Sequence, residues 1–348
     1  MKNGIKKYFA AANGFYGFRS YFGTVFDRKE FDRVYILKGG PGTGKSTIMK
    51  RILAAFEENG FDCEIILCSS DPSSLDGVII KTNETKVAIL DGTAPHEEDT
   101  RYPGAIDEII NLGEAWNEKT LINHRDEIVN LNEKKKQHNR LAACYLEIAG
   151  QAFYKRLDLV KRAYTGFDKS EVDDVIIDKA NKTSGRKSNL LLSGFSKQGY
   201  LRLESNVKDT ISITGKHGSE YIFLEHVIRY LEENDIDYTR IPSPFADDIC
   251  EGVYFESPNT LLLSSTEAEN IVNTSIFLDE GTIQKNESAI LSLEETEKEM
   301  LRLAKEELEK ASNTHFEIES IYGKAVDFEM IDKITEALIY DLKIRLVR

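Results

Sequence analysis

The residues with the clearest chemical purpose in this 348-residue chain are Gly39-Gly40-Pro41-Gly42-Thr43-Gly44-Lys45-Ser46-Thr47. They match G-x-x-x-x-G-K-[ST]. Glycines at that spacing let successive backbone N–H groups curl round an anion, the lysine extends a positive charge to it, and the hydroxyl offers a hard oxygen to a cation. The ligand such a set suits is a polyphosphate carrying a divalent metal. Gly39, Gly40, Pro41, Gly42, Thr43, Gly44, Lys45, Ser46 and Thr47 are the expected cradle, with Lys45 on the terminal phosphates and Ser46 on Mg²⁺. Asp91 is the second expected metal ligand. It ends Lys86-Val87-Ala88-Ile89-Leu90-Asp91, and four apolar residues running into a carboxylate place that acid at the carboxyl end of a buried strand, where such sheets hold ligands. Two loops open at the same edge. Ser69–Gly77 offers Asp71 and Thr93–Gly104 offers His96, each a group able to orient or deprotonate a nucleophile. Asp71 equally suits an Asx turn before Pro72, and His96 a loop histidine tied to a carbonyl. Arg101 suits either a γ-phosphate contact or a pair with Asp99.

The elements that must position these groups follow from patterning. Arg33–Lys38 is β-branched and apolar, a buried strand. Ile48, Ile52, Leu53 and Phe56 recur at helical spacing after the loop, and Gly60 stops that helix. Asp62–Cys68 is a second strand, and Val78-Ile79-Ile80 is a short apolar run before the strand that ends at Asp91. Strand, glycine loop and helix in this order resemble the P-loop NTPase superfamily, with Gly39–Thr47 as Walker A and Asp91 as Walker B. The resemblance implies an α/β fold, a Mg²⁺-dependent nucleotide site and ATP hydrolysis. One residue departs from it: Gly92 follows Asp91, where many ATP-hydrolysing members carry a glutamate. Aspartate-glycine looks more like the small-molecule kinases and G-protein-like branches, so transfer to a small acceptor stands beside hydrolysis. No [NT]KxD run that would read guanine is present, which favours ATP over GTP.

A shift of 175 positions brings Gly40 onto Gly215, Glu57-Glu58-Asn59 onto Glu232-Glu233-Asn234, and Gly77-Val78 onto Gly252-Val253. Thr210–Ile213 is again a strand, Ile222, Phe223, Val227, Ile228 and Leu231 again a helix face, and Lys197-Gln198-Gly199-Tyr200 echoes Phe15-Tyr16-Gly17-Phe18. At this shift Ser219-Glu220-Tyr221 stands against Gly44-Lys45-Ser46, and after Leu261-Leu262-Leu263 the Walker B acid is replaced by Ser264-Ser265, so the second copy lacks the chemistry. A glutamate about 4 Å from phosphate charge costs roughly 1 kcal/mol in water and more in a buried site. Lys216, Arg202 and Arg186 are the cations the second copy offers for completing the first site. A long helical stretch follows each copy, one with Ile128, Leu131, Leu141, Tyr145, Ile148 and Ala152 on its apolar face, the other with Ile290, Leu293, Met300, Ala304, Leu308 and Ala311. Both break at a tyrosine-glycine and resume. The expected fold is therefore α/β: two tandem P-loop NTPase-like units with mostly parallel sheets, each followed by a long helical hairpin. Residues 1–185 form the unit with intact Walker motifs (arm about 114–180) and residues 186–348 the degenerate unit (arm about 283–348). In this layout the chain resembles a poorly characterised group of bacterial ATP-binding proteins with two such units. Residues 125–162 hold nine Lys/Arg against five Asp/Glu, and residues 285–325 six against ten, so the arms can pair within a chain or between chains. A nucleotide-gated switch that engages a protein partner through its arms is the third functional reading.

Composition narrows the partners. With 45 basic and 59 acidic residues the formal charge is −14 and the pI about 5.1, which disfavours nucleic acid and anionic membranes. Lys134-Lys135-Lys136 reads as a solvent-facing run. No apolar stretch has a membrane span's length, and the charged N-terminus lacks the apolar core of a signal peptide. Cys63, Cys68, Cys144 and Cys250 show no metal-ligand spacing and read as buried thiols of a reducing cytoplasm.

Overall fold

Val34-Tyr35-Ile36-Leu37 and Val87-Ala88-Ile89-Leu90 are buried on both faces, which demands covering layers on each side of their sheet. The computed structural model describes residues 4–95, 97–166, 187–207, 209–257, 259–265 and 270–346. Its first half runs β1 (Lys7–Phe9), the hairpin β2 (Ala11–Gly14) and β3 (Gly17–Ser20), α1 (Phe22–Val25), β4 (Arg33–Lys38), α2 (Lys45–Glu57), β5 (Asp62–Leu67), β6 (Leu75–Lys81), β7 (Lys86–Asp91), β8 (Asp107–Asn111), α3 (Glu118–Asn123) and α4 (Arg125–Ala163). The second half runs β9 (Lys187–Asn189), the hairpin β10 (Ser193–Ser196) and β11 (Gly199–Arg202), β12 (Asp209–Thr214), α5 (Ser219–Glu233), β13 (Tyr238–Pro242), β14 (Cys250–Phe255), β15 (Thr260–Ser264), β16 (Asn270–Asn273), α6 (Glu280–Gly323) and α7 (Phe328–Leu346).

The two six-stranded sheets have the orders β1-β5-β6-β7-β4-β8 and β9-β13-β14-β15-β12-β16. In each, a single strand (β6, β14) runs antiparallel to both neighbours and the remaining pairs are parallel, so the sheets are mixed with parallel strands dominant. One face of the first sheet, with Ile36, Ile66, Ile79 and Leu90, shares a core with Ile241, Tyr254, Leu261 and Leu263 of the second. Ile48, Ile52 and Phe56 of α2 cover the outer face of the first sheet together with Ile331, Leu338 and Leu342 of α7. Phe223, Val227 and Leu231 of α5 cover the outer face of the second. The chain is thus layered helix, sheet, sheet, helix.

The long helices depart from expectation. Instead of folding into a hairpin within each half, α4 and α6 lie antiparallel along one another. Lys135 meets His315, His138 meets Glu307 at 2.7 Å, and Arg156 meets Glu297 at 2.8 Å. The Asn117 amide, just before α3, donates to Ala325 O at 2.7 Å, and the Asp279 amide, at the start of α6, donates to Ala163 O at 2.8 Å. Each long helix therefore leaves its own half and ends over the other. α7 turns back onto the first sheet, where Tyr35 donates to Asp341. The buried stripe of α4 is Ala142, Leu146, Ala149, Phe153, Arg156 and Val160, while Leu141 and Ile148 are exposed. Cys144 is exposed on the same helix, against expectation. The expected unit boundary at 185/186 lies outside the described residues. No helix among the described residues is long and apolar enough to cross a membrane.

Candidate functional site

β4 lies between β7 and β8, with Leu37 opposite Asp91 and Lys38 opposite Asn111. The loop leaving β4 is thereby rooted beside Asp91. It enters α2 through Gly42 and Gly44, whose φ of +70° and +85° only glycine adopts cheaply. Thr43 Oγ1 donates to Gly40 O at 2.8 Å, and Lys45 Nζ donates to Gly39 O at 2.7 Å and Gly40 O at 3.0 Å. The same ammonium stands 3.8 Å from Asp91 Oδ2. Asp91 Oδ1 is taken by the Thr93 amide and hydroxyl at 2.9 and 2.6 Å, which turns Oδ2 toward the lysine. Ser46 Oγ accepts from the Leu75 amide at 3.0 Å and so faces the start of β6. Lys45 and Asp91 thus meet beside the loop, and Ser46 stands next to them against the start of β6.

Sequence reasoning missed a fourth member, Asp76. Gly77 pairs with Leu90, so the preceding residue on β6 stands beside Asp91. Asp76 is 3% exposed, and burial, then Asp91, push its carboxyl up to about 8, against the pull of the Cys68 thiol and Lys45. Its signal was a carboxylate opening the apolar run Leu75–Ile80.

Asp71 does form the Asx turn. Its Oδ1 accepts from the Ser73 amide at 3.1 Å and the Ser73 hydroxyl at 2.8 Å. Its Oδ2 lies 3.6 Å from Lys197 Nζ, which comes from the second half. Burial raises the Asp71 carboxyl, but Ser73 and Lys197 outweigh it and hold it below the ordinary range. His96 lies outside the described residues. Arg101 is partly exposed and sits 3.7 Å from Glu98. The cation truly buried in this region is Arg28, which contacts Asp107 at 2.7 Å and Glu98 at 3.1 Å. Of the cations expected from the second half, Arg202 is taken by Glu251 and Ser264 O, Lys216 is exposed, and Arg186 lies outside the described residues.

The second half reaches the loop through other residues. A Cβ on Gly40 would lie 2.9 Å from the Tyr322 ring, and one on Gly42 would lie 2.8 Å from Glu319 O, so the last turns of α6 rest directly on the loop. Tyr322 packs edge-on to Trp116, with centroids 5.8 Å apart. Lys135 of α4 contacts His315 of α6 at 2.9 Å. Burial, then Lys135 and Lys45, drive the His315 imidazole down to about 4, so it is neutral and its Nδ1 accepts. Burial also lowers the Lys135 ammonium, opposed by Glu319.

The corresponding loop of the second half is shorter. Gly218 shares the left-handed conformation of Gly44 and likewise precedes its helix. From strand end to helix the first loop takes Gly39–Gly44 and the second only Gly215–Gly218. Ser219 therefore replaces Lys45 and Glu220 replaces Ser46, one position off the ungapped correspondence. An open cleft of about 340 Å³ lies at this second loop, lined by Arg156, His217, Glu220, Glu294 and Glu297 among others.

Residues 19–171 match the family described as nSTAND3, novel STAND NTPase 3. No curated protein and no solved structure matches the chain. The matched stretch spans the glycine loop, Asp91 and α4, and similarity to an NTPase family supports nucleotide binding.

Proposed function

We propose that the first half is a P-loop NTPase unit that binds ATP with Mg²⁺ in the Gly39–Thr47 loop and hydrolyses it, and that the second half binds no nucleotide. The observation that carries this reading is Lys45 at the first turn of α2, with its Nζ 3.8 Å from Asp91 Oδ2 at the end of β7, while the neighbouring Ser46 hydroxyl faces the start of β6 through the Leu75 amide. Lys45 Nζ donates to Gly39 O and Gly40 O, and a triphosphate would draw it off these neutral carbonyls onto charged oxygens. The Ser46 hydroxyl and the Asp91 carboxylate, with Asp76 behind it, are the hard oxygen donors Mg²⁺ prefers. Among the described residues no cluster of three or more His, Cys, Asp or Glu could hold a metal alone. Mg²⁺ is commonly held by one or two carboxylates together with substrate phosphates. The metal would polarise the phosphate oxygens and neutralise their charge.

The test is phosphate release from Mg²⁺-ATP, with nucleotide binding followed in parallel. Lys45→Ala removes charge-assisted bonds worth about 1.5–3 kcal/mol, so binding should weaken roughly 10- to 100-fold and release should cease. Unchanged nucleotide affinity in Lys45→Ala would overturn the reading. Binding without release would point to transfer onto a small acceptor.

One contact favours a second reading, a nucleotide-gated switch. Tyr322 and Glu319 at the end of α6 rest on Gly40 and Gly42, so phosphates in the loop and the position of that helix are mechanically linked. Slow turnover with a nucleotide-dependent position of α6 would favour it.

A further inference from the structure

We propose that Lys135 of α4 and Lys197 of the β10–β11 turn are ligands of the terminal phosphate, so that the nucleotide site is completed within one chain by its arm and its second half. This rests on the nucleotide site proposed above. Three observations carry it.

The first is convergence. Along one face of α6, Ser312 accepts from Lys197 at 3.1 Å, His315 accepts from Lys135 at 2.9 Å, and the Glu319 carbonyl rests on Gly42, so both ammonium groups lie along the two turns of α6 that reach the loop. These two and Lys45 are each held by partners a phosphate can displace: Lys45 by two carbonyls with Asp91 at 3.8 Å, Lys135 by a neutral imidazole, and Lys197 by the Ser312 hydroxyl at 3.1 Å and by Asp71 at 3.6 Å. A half-buried ammonium whose hydrogen-bond acceptor is a neutral ring has given up water for little in return, and an incoming anion restores the balance.

The second is an asymmetry between the halves. The hairpin turns correspond, since Gly14 pairs with Gly17 and Ser196 with Gly199, so Phe15 and Lys197 occupy equivalent tips. Phe15 is 1% exposed, stacks on Phe245 at 4.8 Å and presses on Gly150 of α4, an apolar plug. The other hairpin docks on α6, with the Lys197 ammonium 4.6 Å from the Phe316 ring centroid. The fold needs only a plug at such a tip, and Phe15 supplies one. A lysine in that place, aimed at Asp71 beside the intact loop, is what an anion requires.

The third is placement. Lys135 is the one member of Lys134-Lys135-Lys136 that meets α6, whereas Lys136 pairs with Glu133 on its own helix. The expectation of a purely solvent-facing run fails at this residue alone.

The experiment compares affinities of the full-length protein for Mg²⁺-ADP and for Mg²⁺ with a non-hydrolysable ATP analogue, in wild type, Lys135→Ala, Lys197→Ala, the double variant and Lys197→Arg. Loss of a charge-assisted phosphate contact should weaken the triphosphate analogue about 10-fold per lysine and about 100-fold in the double variant, while Mg²⁺-ADP stays within about 3-fold. Lys197→Arg should recover most of the loss, because a guanidinium still reaches a phosphate. Equal weakening of both nucleotides, or no weakening of either, overturns the proposal. Lys45→Ala serves as the control: there both nucleotides should weaken, and if neither does, the nucleotide site itself is refuted. Circular dichroism and a thermal melt identify any variant that fails to fold, in which case Lys135→Gln and Lys197→Gln, which keep the side-chain stems, decide by the same criterion.

Discussion

Asp76 offers the most direct test of the electrostatics around the loop. In the fold its carboxyl is pushed from 3.8 to about 8, by burial first and by Asp91 across the strand pair second, while Cys68 after β5 and Lys45 on α2 oppose the rise. The folded chain therefore holds a proton that the unfolded chain gives up above about pH 4. Between about pH 4 and 8 the native state binds one proton more, so stability falls as pH rises, by up to about 1.4 kcal/mol per pH unit from this group. The full window is worth on the order of 5 kcal/mol, an upper figure that local relaxation reduces. Asp76→Asn keeps the shape of the protonated acid and removes the titration. Urea unfolding of both proteins at pH 5, 6, 7 and 8, without nucleotide and with chelator, should show the variant gaining on wild type steadily with pH. It should be the more stable by roughly 2–4 kcal/mol at pH 7. Parallel pH profiles would refute the reasoning. So would a variant less stable than wild type at pH 8, since both require an Asp76 that is ionised in the fold at little cost.

Two further outcomes follow from the packing. Arg28 and Asp107 form a buried pair, with the arginine also donating to Phe26 O, so Arg28→Met should cost about 3–5 kcal/mol in denaturant unfolding by stranding the carboxylate; a loss below about 1 kcal/mol would show that Asp107 is satisfied without it. Trp116 packs edge-on to Tyr322, which packs on Gly40, so Mg²⁺-ATP should change the tryptophan emission, and Tyr322→Ala should abolish that change while leaving binding within about 3-fold; an unchanged response in the variant would separate the α6 end from the loop.

What the sequence made legible was local. The strand Arg33–Lys38, the helix from Lys45 and the strand ending at Asp91 each carry their pattern within a few residues, and the structure has β4, α2 and β7 where the pattern puts them. Asp76 escaped notice because one carboxylate at the head of an apolar run is the ordinary look of a strand end, and only the pairing of β6 with β7 shows which acid it faces. The repeat was read at a single ungapped shift of 175, which holds for Ile66 opposite Gly77 and Ile241 opposite Gly252. It misses by one on either side of the second loop. Lys38 opposite Asn111 corresponds to Thr214 opposite Asn273, 176 on (214 − 38), and Gly44 to Gly218, 174 on (218 − 44). Two missing loop residues account for the change, and no ungapped comparison can place them. The partner of each long helix was beyond reach for another reason. Apolar periodicity states that a face is buried and is silent on what buries it, so a hairpin within each half and a pair across the halves look alike. Lys135 and Lys197 escaped for the same reason, since their neighbourhood is made by helices and a hairpin from distant parts of the chain.

The crossing of the arms also predicts how many nucleotides one chain holds. At the first loop the partner helices bring Lys135 and a neutral His315, with the acid Glu319 3.6 Å from that imidazole. At the second loop α6 brings Glu294, paired with His217, and Glu297, engaged by Arg156, and the first turn of α5 carries Glu220, whose carboxyl burial raises while Arg156 and His217 oppose that rise. A triphosphate there would meet carboxylates on two sides, each repulsion worth about 1 kcal/mol near 4 Å in water and several where solvent is excluded. It would also meet a loop two residues shorter than Gly39–Gly44, with Ser219 in the lysine's place. Calorimetric titration with the non-hydrolysable analogue should therefore give one site per chain. Restoring the lysine alone is not enough: Ser219→Lys supplies a cation but neither the missing loop residues nor relief from Glu220, so the stoichiometry should stay at one. A second site in Ser219→Lys would show that loop length and the surrounding acids matter less than the single missing charge.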